Sequence, residues 1–258
     1  MPKNIKILGE RNSGTNFLTA IMRGNFAVTV HTNIGELSPA QNVIFKHKMI
    51  LKTLRNKFIE SSYETAHIRD LATQGGWKHA CVTPRFIDAF ARPNDCHILC
   101  IVRHPLAWAR SMHKNPFHAF GLAPQDFTAF LNTPWRTRPR DELGSVTLAS
   151  PLCLWREKLL SYQCHAKTYE KLRIICYEDL VLETAKTLGK LGQILPRKHP
   201  DIRIPVHDPR SFVDSTERFP DYQQKARVTD FSELSKQTYA PFETHIGTEL
   251  MDSFGYTA

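Results

Sequence analysis

Three short stretches of this sequence combine residue types that handle anions and protons. The first is Gly9-Glu10-Arg11-Asn12-Ser13-Gly14-Thr15-Asn16, which follows an apolar segment ending at Leu8 and precedes a helix-periodic apolar stretch from Asn16 to Met22. A glycine-containing turn between a strand and a helix can cradle a phosphate with backbone N–H groups and a helix N-terminus. Its two glycines stand five residues apart, as in the phosphate loop of nucleoside-triphosphate hydrolases. Thr15, however, occupies the place of that loop's lysine, and Asn16 the place of the Ser or Thr that holds magnesium, which disfavours a nucleotide hydrolase or ordinary kinase. The second stretch is Arg103-His104-Pro105-Leu106-Ala107-Trp108-Ala109-Arg110-Ser111. With Arg103 at a strand exit and Ser111 two turns along the next helix, both could reach one anion, Arg103 with a planar fork of donors and Ser111 with a neutral hydroxyl. The third feature is a pair of Lys-His dipeptides, Lys46-His47 and Lys78-His79. A histidine can take a proton near neutrality, and a lysine can neutralise charge developing on a leaving oxygen.

Each feature has a plainer reading beside it. Ser13 or Thr15 can simply cap a helix, and an Arg at a strand end can be a surface ion-pair residue. Trp108, Trp155 and Phe117 could stack on an adenine or could fill the core.

The elements that would position these residues alternate between strand and helix. Lys6 to Leu8 reads as the end of a buried strand, and His97 to Val102 as a second, followed by a helix through Ser111 with Pro105 at its first position. Leu172 to Tyr177 is a third, with Glu178-Asp179 opening a long helix up to about Ile194. Continuous apolar strands in strand-turn-helix units predict an α/β fold, a parallel sheet flanked by helices. In such sheets ligands bind beyond the carboxyl ends of the strands, so the turns after Leu8, Val102 and Tyr177 are the ones to examine. Between 115 and 150 the pattern fades into Pro, Arg and aromatic residues, as in an excursion or lid on a single 1–258 domain. The stretch from Phe231 to Tyr256 reads as one closing helix.

With 258 residues, 41% hydrophobic and 23% charged, the composition is that of a soluble globular domain. The apolar runs are strand-sized, well short of the ~20 residues a membrane-spanning helix needs, and Met1 to Gly9 holds too short an apolar stretch for a signal peptide; a cytoplasmic protein is expected. The six cysteines show no two-residue spacing and read as buried free thiols. A formal charge of +9 favours an anionic partner without choosing among nucleic acid, nucleotide or an anionic acceptor.

Ser13-Gly14-Thr15-Asn16-Phe17-Leu18 resembles the Ser-Gly-Thr-Thr-Trp-Leu stretch of the sulfotransferases that use 3′-phosphoadenosine 5′-phosphosulfate (PAPS), whose loop binds the donor's 5′-phosphosulfate. That family usually has Lys just before the Ser; here Asn12 stands there, and Arg11, one position earlier, is the candidate replacement. The Arg103 stretch is the stronger match, because in the family a strand ends in Arg, often followed by a polar residue and Pro, with a Ser eight positions on. The resemblance thus assigns Arg11, Asn12, Ser13, Gly14, Thr15 and Asn16 to the 5′-phosphosulfate, and Arg103 with Ser111 to the 3′-phosphate. Tyr177-Glu178-Asp179-Leu180 is similar to a box that recurs after a strand in the family and reads as structural, a helix start whose acids suit the N-terminal dipole.

Many sulfotransferases carry a Lys and a His about two dozen residues before the Arg of the 3′-phosphate. His79 lies 24 residues before Arg103 and His47 lies 56 before it, so Lys78 and His79 become the catalytic pair, with Lys46-His47 as the competing one. Gly76-Trp77-Lys78-His79 looks like a bacterial-type branch. The resemblance spans roughly Lys6 to Leu180; the family's C-terminal Gly-rich donor loop is not recognisable, and Arg218, Lys225 and Arg227 are the basic residues that could replace it. It implies a P-loop-like sulfotransferase fold, PAPS as donor, its desulfonated product PAP, no metal, and a hydroxyl or amine acceptor on a carbohydrate, lipid headgroup or phenol. Two other readings stand beside it: a P-loop nucleotide kinase or other phosphotransferase, and a non-catalytic nucleic-acid-binding protein, for which no sequence motif speaks.

Overall fold

The computed structural model describes residues 2–31, 52–115, 126–144, 147–205, 219–227 and 230–256. Strand β1 (Lys3–Leu8) leads through the loop at 9–14 into helix α1 (Thr15–Asn25) and strand β2 (Val28–His31). Helix α2 (Lys52–Gln74) follows, then a helical stretch at Pro84–Phe86 that continues as a π-helical turn over Ile87–Ala91. Strand β3 (His97–Val102) and helix α3 (Pro105–Lys114) come next. A short helix at Phe127–Leu131, a 3₁₀ turn at Pro139–Asp141 and an antiparallel pair, Trp135–Arg136 with Thr147–Leu148, precede helix α4 (Pro151–Ala166). Strand β4 (Leu172–Cys176) then runs into helices α5 (Tyr177–Leu182) and α6 (Thr184–Leu191). Described residues of the remainder form helices at Phe219–Arg227, α7 (Lys236–His245) and Thr248–Asp252.

The four strands form one parallel sheet in the order β2-β1-β3-β4. The chain leaves β1 for β2 on one side and later crosses to β3 on the other. The crevice beyond the carboxyl ends of β1 and β3 is therefore a topological switch point, where such sheets take ligands. The α/β expectation holds, and so do the three strand-turn-helix units.

Side chains alternate across the sheet with period two. Ile5, Ile7, Leu99 and Ile101 pack with α1, α5 and α6 on one face, while Leu8, Ile98, Cys100 and Val102 pack with α3, α4 and the C-terminal helices on the other. Cys81, Cys96, Cys100 and Cys153 are buried thiols, Cys176 is half-buried and Cys164 exposed, and none is in a disulfide.

Two expected helices are each divided. The segment expected to run unbroken to Ile194 breaks at Glu183 (φ −122°, ψ 45°), where the Thr184 hydroxyl bonds back to the Leu180 carbonyl at 2.7 Å. The expected closing helix breaks at Gly247 (φ 91°), whose left-handed backbone ends α7 before the last short helix starts. The described part of the 115–150 excursion is packed into the body of the protein: Phe130, Leu131, Arg140 and Asp141 are buried.

Lys6, on the interior strand β1, is fully buried and donates to the carbonyls of Gln74 (2.7 Å) and Gly76 (2.9 Å). It thereby ties the end of α2 and the segment leading to residues 77–79 to the sheet. Burial pushes its amine down from 10.5 to about 7. Between those values the unfolded chain holds a proton that the folded chain lacks, so this group's penalty fades as pH rises. Urea unfolding at pH 6.5 and pH 9.5 should therefore show the wild type gaining stability relative to Lys6→Met at the higher pH. A difference that stays constant would show that Lys6 titrates normally.

Candidate functional site

At the switch point, the loop 9–14 is shaped by close packing from beneath. A Cβ on Gly9 would lie 2.6 Å from Ile101 Cγ2, and one on Gly14 would lie 2.5 Å from Cδ2 of Tyr177. Gly14 also sits at φ 93° and Asn12 at φ 64°, left-handed conformations that turn the chain sharply into α1. The loop's carbonyls are held: Trp108 Nε1 donates to the Arg11 carbonyl (2.8 Å) and Arg103 Nη1 to that of Asn12 (3.0 Å). Gly14 serves as N-cap of α1 with no side-chain capping bond, and among the described residues no side chain claims the first-turn N–H groups. An uncapped helix start behind a glycine loop is an anion cradle.

Arg103 leaves β3 beside this cradle. Its guanidinium lies 5.0 Å from the centroid of the Tyr177 ring, and its own carbonyl accepts from Trp155 Nε1 at 3.0 Å. Its Nε is buried without a hydrogen-bond partner among the described residues. An orphaned donor on a half-buried guanidinium next to the loop is what an incoming phosphate would satisfy. Ser111 lies one turn after Trp108 on α3, and Trp108 reaches the loop through its bond to the Arg11 carbonyl. The helix also meets the loop where Asn12 Nδ2 donates to Met112 Sδ (3.1 Å) and lies 3.5 Å from the Asn115 carbonyl. The half-buried Ser111 is thus on the cradle side of α3.

The Lys78-His79 pair is stapled to the start of the loop. Gly9 N–H donates to the Lys78 carbonyl at 3.0 Å, and His79 Nδ1 donates to the Gly9 carbonyl at 2.6 Å. That bond fixes the tautomer and leaves the ring's lone pair on Nε2. The His79 ring is 8% exposed and stands edge-on to Trp77. Burial, then the charges of Lys78 and Arg11, holds its pKa well below 6.5, so the imidazole is neutral at physiological pH. Lys78 Nζ donates to Asn16 Oδ1 at 2.8 Å, and burial brings its amine down to about 8. An ammonium thus bonds the residue standing where phosphotransferase loops hold magnesium. The competing pair, Lys46-His47, lies outside the described residues.

Arg11 is turned inward, away from the role of replacement cation at the loop mouth. It is 4% exposed and pairs with Glu10 Oε1 (2.8 Å) and Asp141 Oδ1 (3.2 Å). Burial opposes its charge, but the carboxylates of Asp141 and Glu10 outweigh that and hold the guanidinium protonated. Lys78 supplies the cation beside the loop instead. The buried partners of Arg11 were not foreseeable: Asp141 is 130 residues away, and Lys158, the fourth member of the group, lies on α4 with no local motif around it. Tyr177 had a signal, the Tyr-Glu-Asp-Leu box, yet its contacts with Gly14 and Arg103 make it part of the site as well as a helix start.

Trp108 and Trp155 are core residues whose indole N–H groups are spent on the Arg11 and Arg103 carbonyls. Phe117 and Arg218 lie outside the described residues, as does the side chain of Lys225. Arg227 is exposed on the helix Phe219–Arg227, which packs beside α5 through Gln223 Nε2 on the Val181 carbonyl (3.1 Å) and places Tyr222 near Phe17 of α1.

No protein-family model matches the chain, and no curated protein does. Among solved structures it is similar to the sulfotransferase domain from the Synechococcus PCC 7002 olefin synthase, with 14% identity and a TM-score of 0.40 over 95% of this chain and 94% of that one. No helix among the described residues is long and apolar enough to cross a membrane.

Because Tyr177 occupies the space a Gly14 side chain would need, Gly14→Ala should destabilise the protein by about 1–3 kcal/mol through overpacking. Pairing it with Tyr177→Leu should recover part of the loss, giving a coupling above ~0.5 kcal/mol in a double-mutant cycle of urea unfolding. Strict additivity would show that the loop does not rest on Tyr177.

Proposed function

We propose that this protein is a sulfotransferase that moves a sulfuryl group from PAPS to a hydroxyl or amine acceptor. The observation that carries the reading is the convergence at one switch point of an uncapped glycine loop, an arginine with an orphaned buried Nε, and a neutral histidine beside a lysine. The loop and the start of α1 would hold the donor's 5′-phosphosulfate, with Ser13, Gly14, Thr15 and Asn16 in the cradle. Arg103 and Ser111 would hold the 3′-phosphate, the group that separates PAPS from ATP.

The donor supplies an activated S–O bond; the chain's own residues supply charge and geometry. His79 Nε2 would take the acceptor proton as the acceptor oxygen or nitrogen attacks sulfur. Lys78 would neutralise the phosphate oxygen from which the sulfuryl group departs, in the position a metal fills in phosphotransferases. The bound donor's dianionic phosphosulfate would also raise the pKa of His79, improving a base that is weak in the free protein. A kinase is the second reading in the same architecture, and the Asn16–Lys78 bond speaks against it, because it fills the metal-binding position of the loop with a cation.

The test is release of PAP and transfer of labelled sulfate from PAPS in the presence of EDTA, against a panel of sugar, lipid and phenol acceptors. His79→Ala should lower turnover by about 10²–10⁴ while leaving PAP affinity nearly unchanged. Because the His79 pKa of the free protein lies well below 6.5, kcat/KM for PAPS, which reports that free form, should show no acid limb from this group between pH 6.5 and 7.5. Full turnover by His79→Ala, or magnesium-dependent ATP turnover in place of PAPS turnover, would contradict the reading.

A further inference from the structure

Lys158 of α4 is 1% exposed, and its Nζ meets oxygens on three separate segments. It lies 2.5 Å from Glu10 Oε2 in the loop and 3.3 Å from Asp141 Oδ1 in the 3₁₀ turn, and it donates to the main-chain carbonyl of His79. Its hydrogen bonds go to the Asp141 carboxylate and the His79 carbonyl, while Glu10 Oε2 is held beside it by charge. Two of those contacts balance charge. The third serves no charge at all: it reaches the backbone of the histidine that faces the loop.

We propose that Lys158 is a positioning residue, whose ammonium sets the place of His79 against the anion-holding loop. The inference rests on the sulfotransferase reading of that site. The loop and the 78–79 segment already exchange two hydrogen bonds, Gly9 N–H to the Lys78 carbonyl and His79 Nδ1–H to the Gly9 carbonyl. Both act at Gly9, and the flanking residues are held by His67 on the Trp77 N–H and by the Asp141 carbonyl on the Cys81 N–H. Lys158 adds a further anchor, on the His79 carbonyl, and ties it through Glu10 to the next residue of the loop. The same ammonium is among the charges that keep the imidazole neutral, with Lys78 and Arg11.

Lys158→Met alone leaves Glu10 and Asp141 against the single cation Arg11, an unbalanced buried charge that can unfold the protein for reasons unrelated to His79. Lys158→Met combined with Glu10→Gln restores the balance, one carboxylate with one guanidinium, and the amide oxygen can still accept from Arg11. Four quantities are to be compared with wild type: the thermal midpoint, PAP affinity by calorimetry, PAP release from PAPS, and the titration of His79 by ¹⁵N-histidine NMR. The double variant should fold and bind PAP within about threefold of wild type, yet release PAP at least tenfold more slowly. Its His79 titration should shift, because the ring no longer keeps its fixed place against Lys78 and Arg11.

A double variant that regains wild-type turnover, leaves the His79 titration unmoved, or does not fold would make Lys158 a structural ion only and overturn the proposal. If the wild type neither binds PAP nor releases it from PAPS, the sulfotransferase reading fails instead. The NMR titration then still reports on the Lys158–His79 link.

Discussion

Glu10, Arg11, Asp141 and Lys158 bring two carboxylates and two cations together in the buried interior. For Arg11, Asp141 and Lys158 alike, burial pushes toward the neutral form and the opposite charges push back harder. Such a group is weak evidence for net stability, since well-packed apolar residues could do as well. Its removal one member at a time is a different matter, because an unpaired buried charge costs about 3–5 kcal/mol. The arrangement is therefore all or nothing. Its geometric consequence is that the loop, the 138–142 turn, α4 and the carbonyl of His79 are referred to one point.

Everything functional in the reading sits on the outer side of that point. The sheet delivers β1 and β3 to a shared edge, and the loop between β1 and α1 is pressed onto Ile101 and Tyr177 through two glycines that have no room for a side chain. Arg103 is held by the same ring of Tyr177 and by the loop carbonyl of Asn12. The neighbouring turn is tied in by further polar contacts: Arg140 pairs with Glu64 of α2 at 2.6 Å, and His67 of α2 accepts from the Trp77 N–H while bonding Glu142. The Trp77–His79 segment is thus enclosed between α2, the turn and the loop. Pre-positioned donors and a fixed base need no reorganisation when charge develops, which is where such sites gain rate.

The strands and their turns were legible because they obey local rules: continuous apolar runs, a Pro at the first helical position of α3, and a glycine turn before α1. The family resemblance singles out the Lys78-His79 pair by its spacing from Arg103, and its contacts with Gly9 and Asn16 are long-range ones that only the fold reveals. What could not be read were contacts whose partners lie far apart in the chain. Arg11 looked like a spare cation at the loop mouth; only the fold reveals that Asp141 waits beneath it. The helix breaks at Glu183 and Gly247 were missed because the apolar period continues through them, while the backbone there leaves helical geometry. Tyr177 looked like a helix start, and its ring turned out to be the surface on which Gly14 and Arg103 rest.

On the sulfotransferase reading, the cradle takes a nucleotide carrying a 3′-phosphate and needs no metal. Calorimetry of PAP against ADP, both in EDTA, measures that directly. Losing a charge-assisted contact to Arg103 is worth about 1.5–3 kcal/mol. PAP should therefore bind at least ~10-fold more tightly than ADP, and Arg103→Ala should erase most of the difference. Equal affinities, or binding that appears only when magnesium is added, would contradict the account.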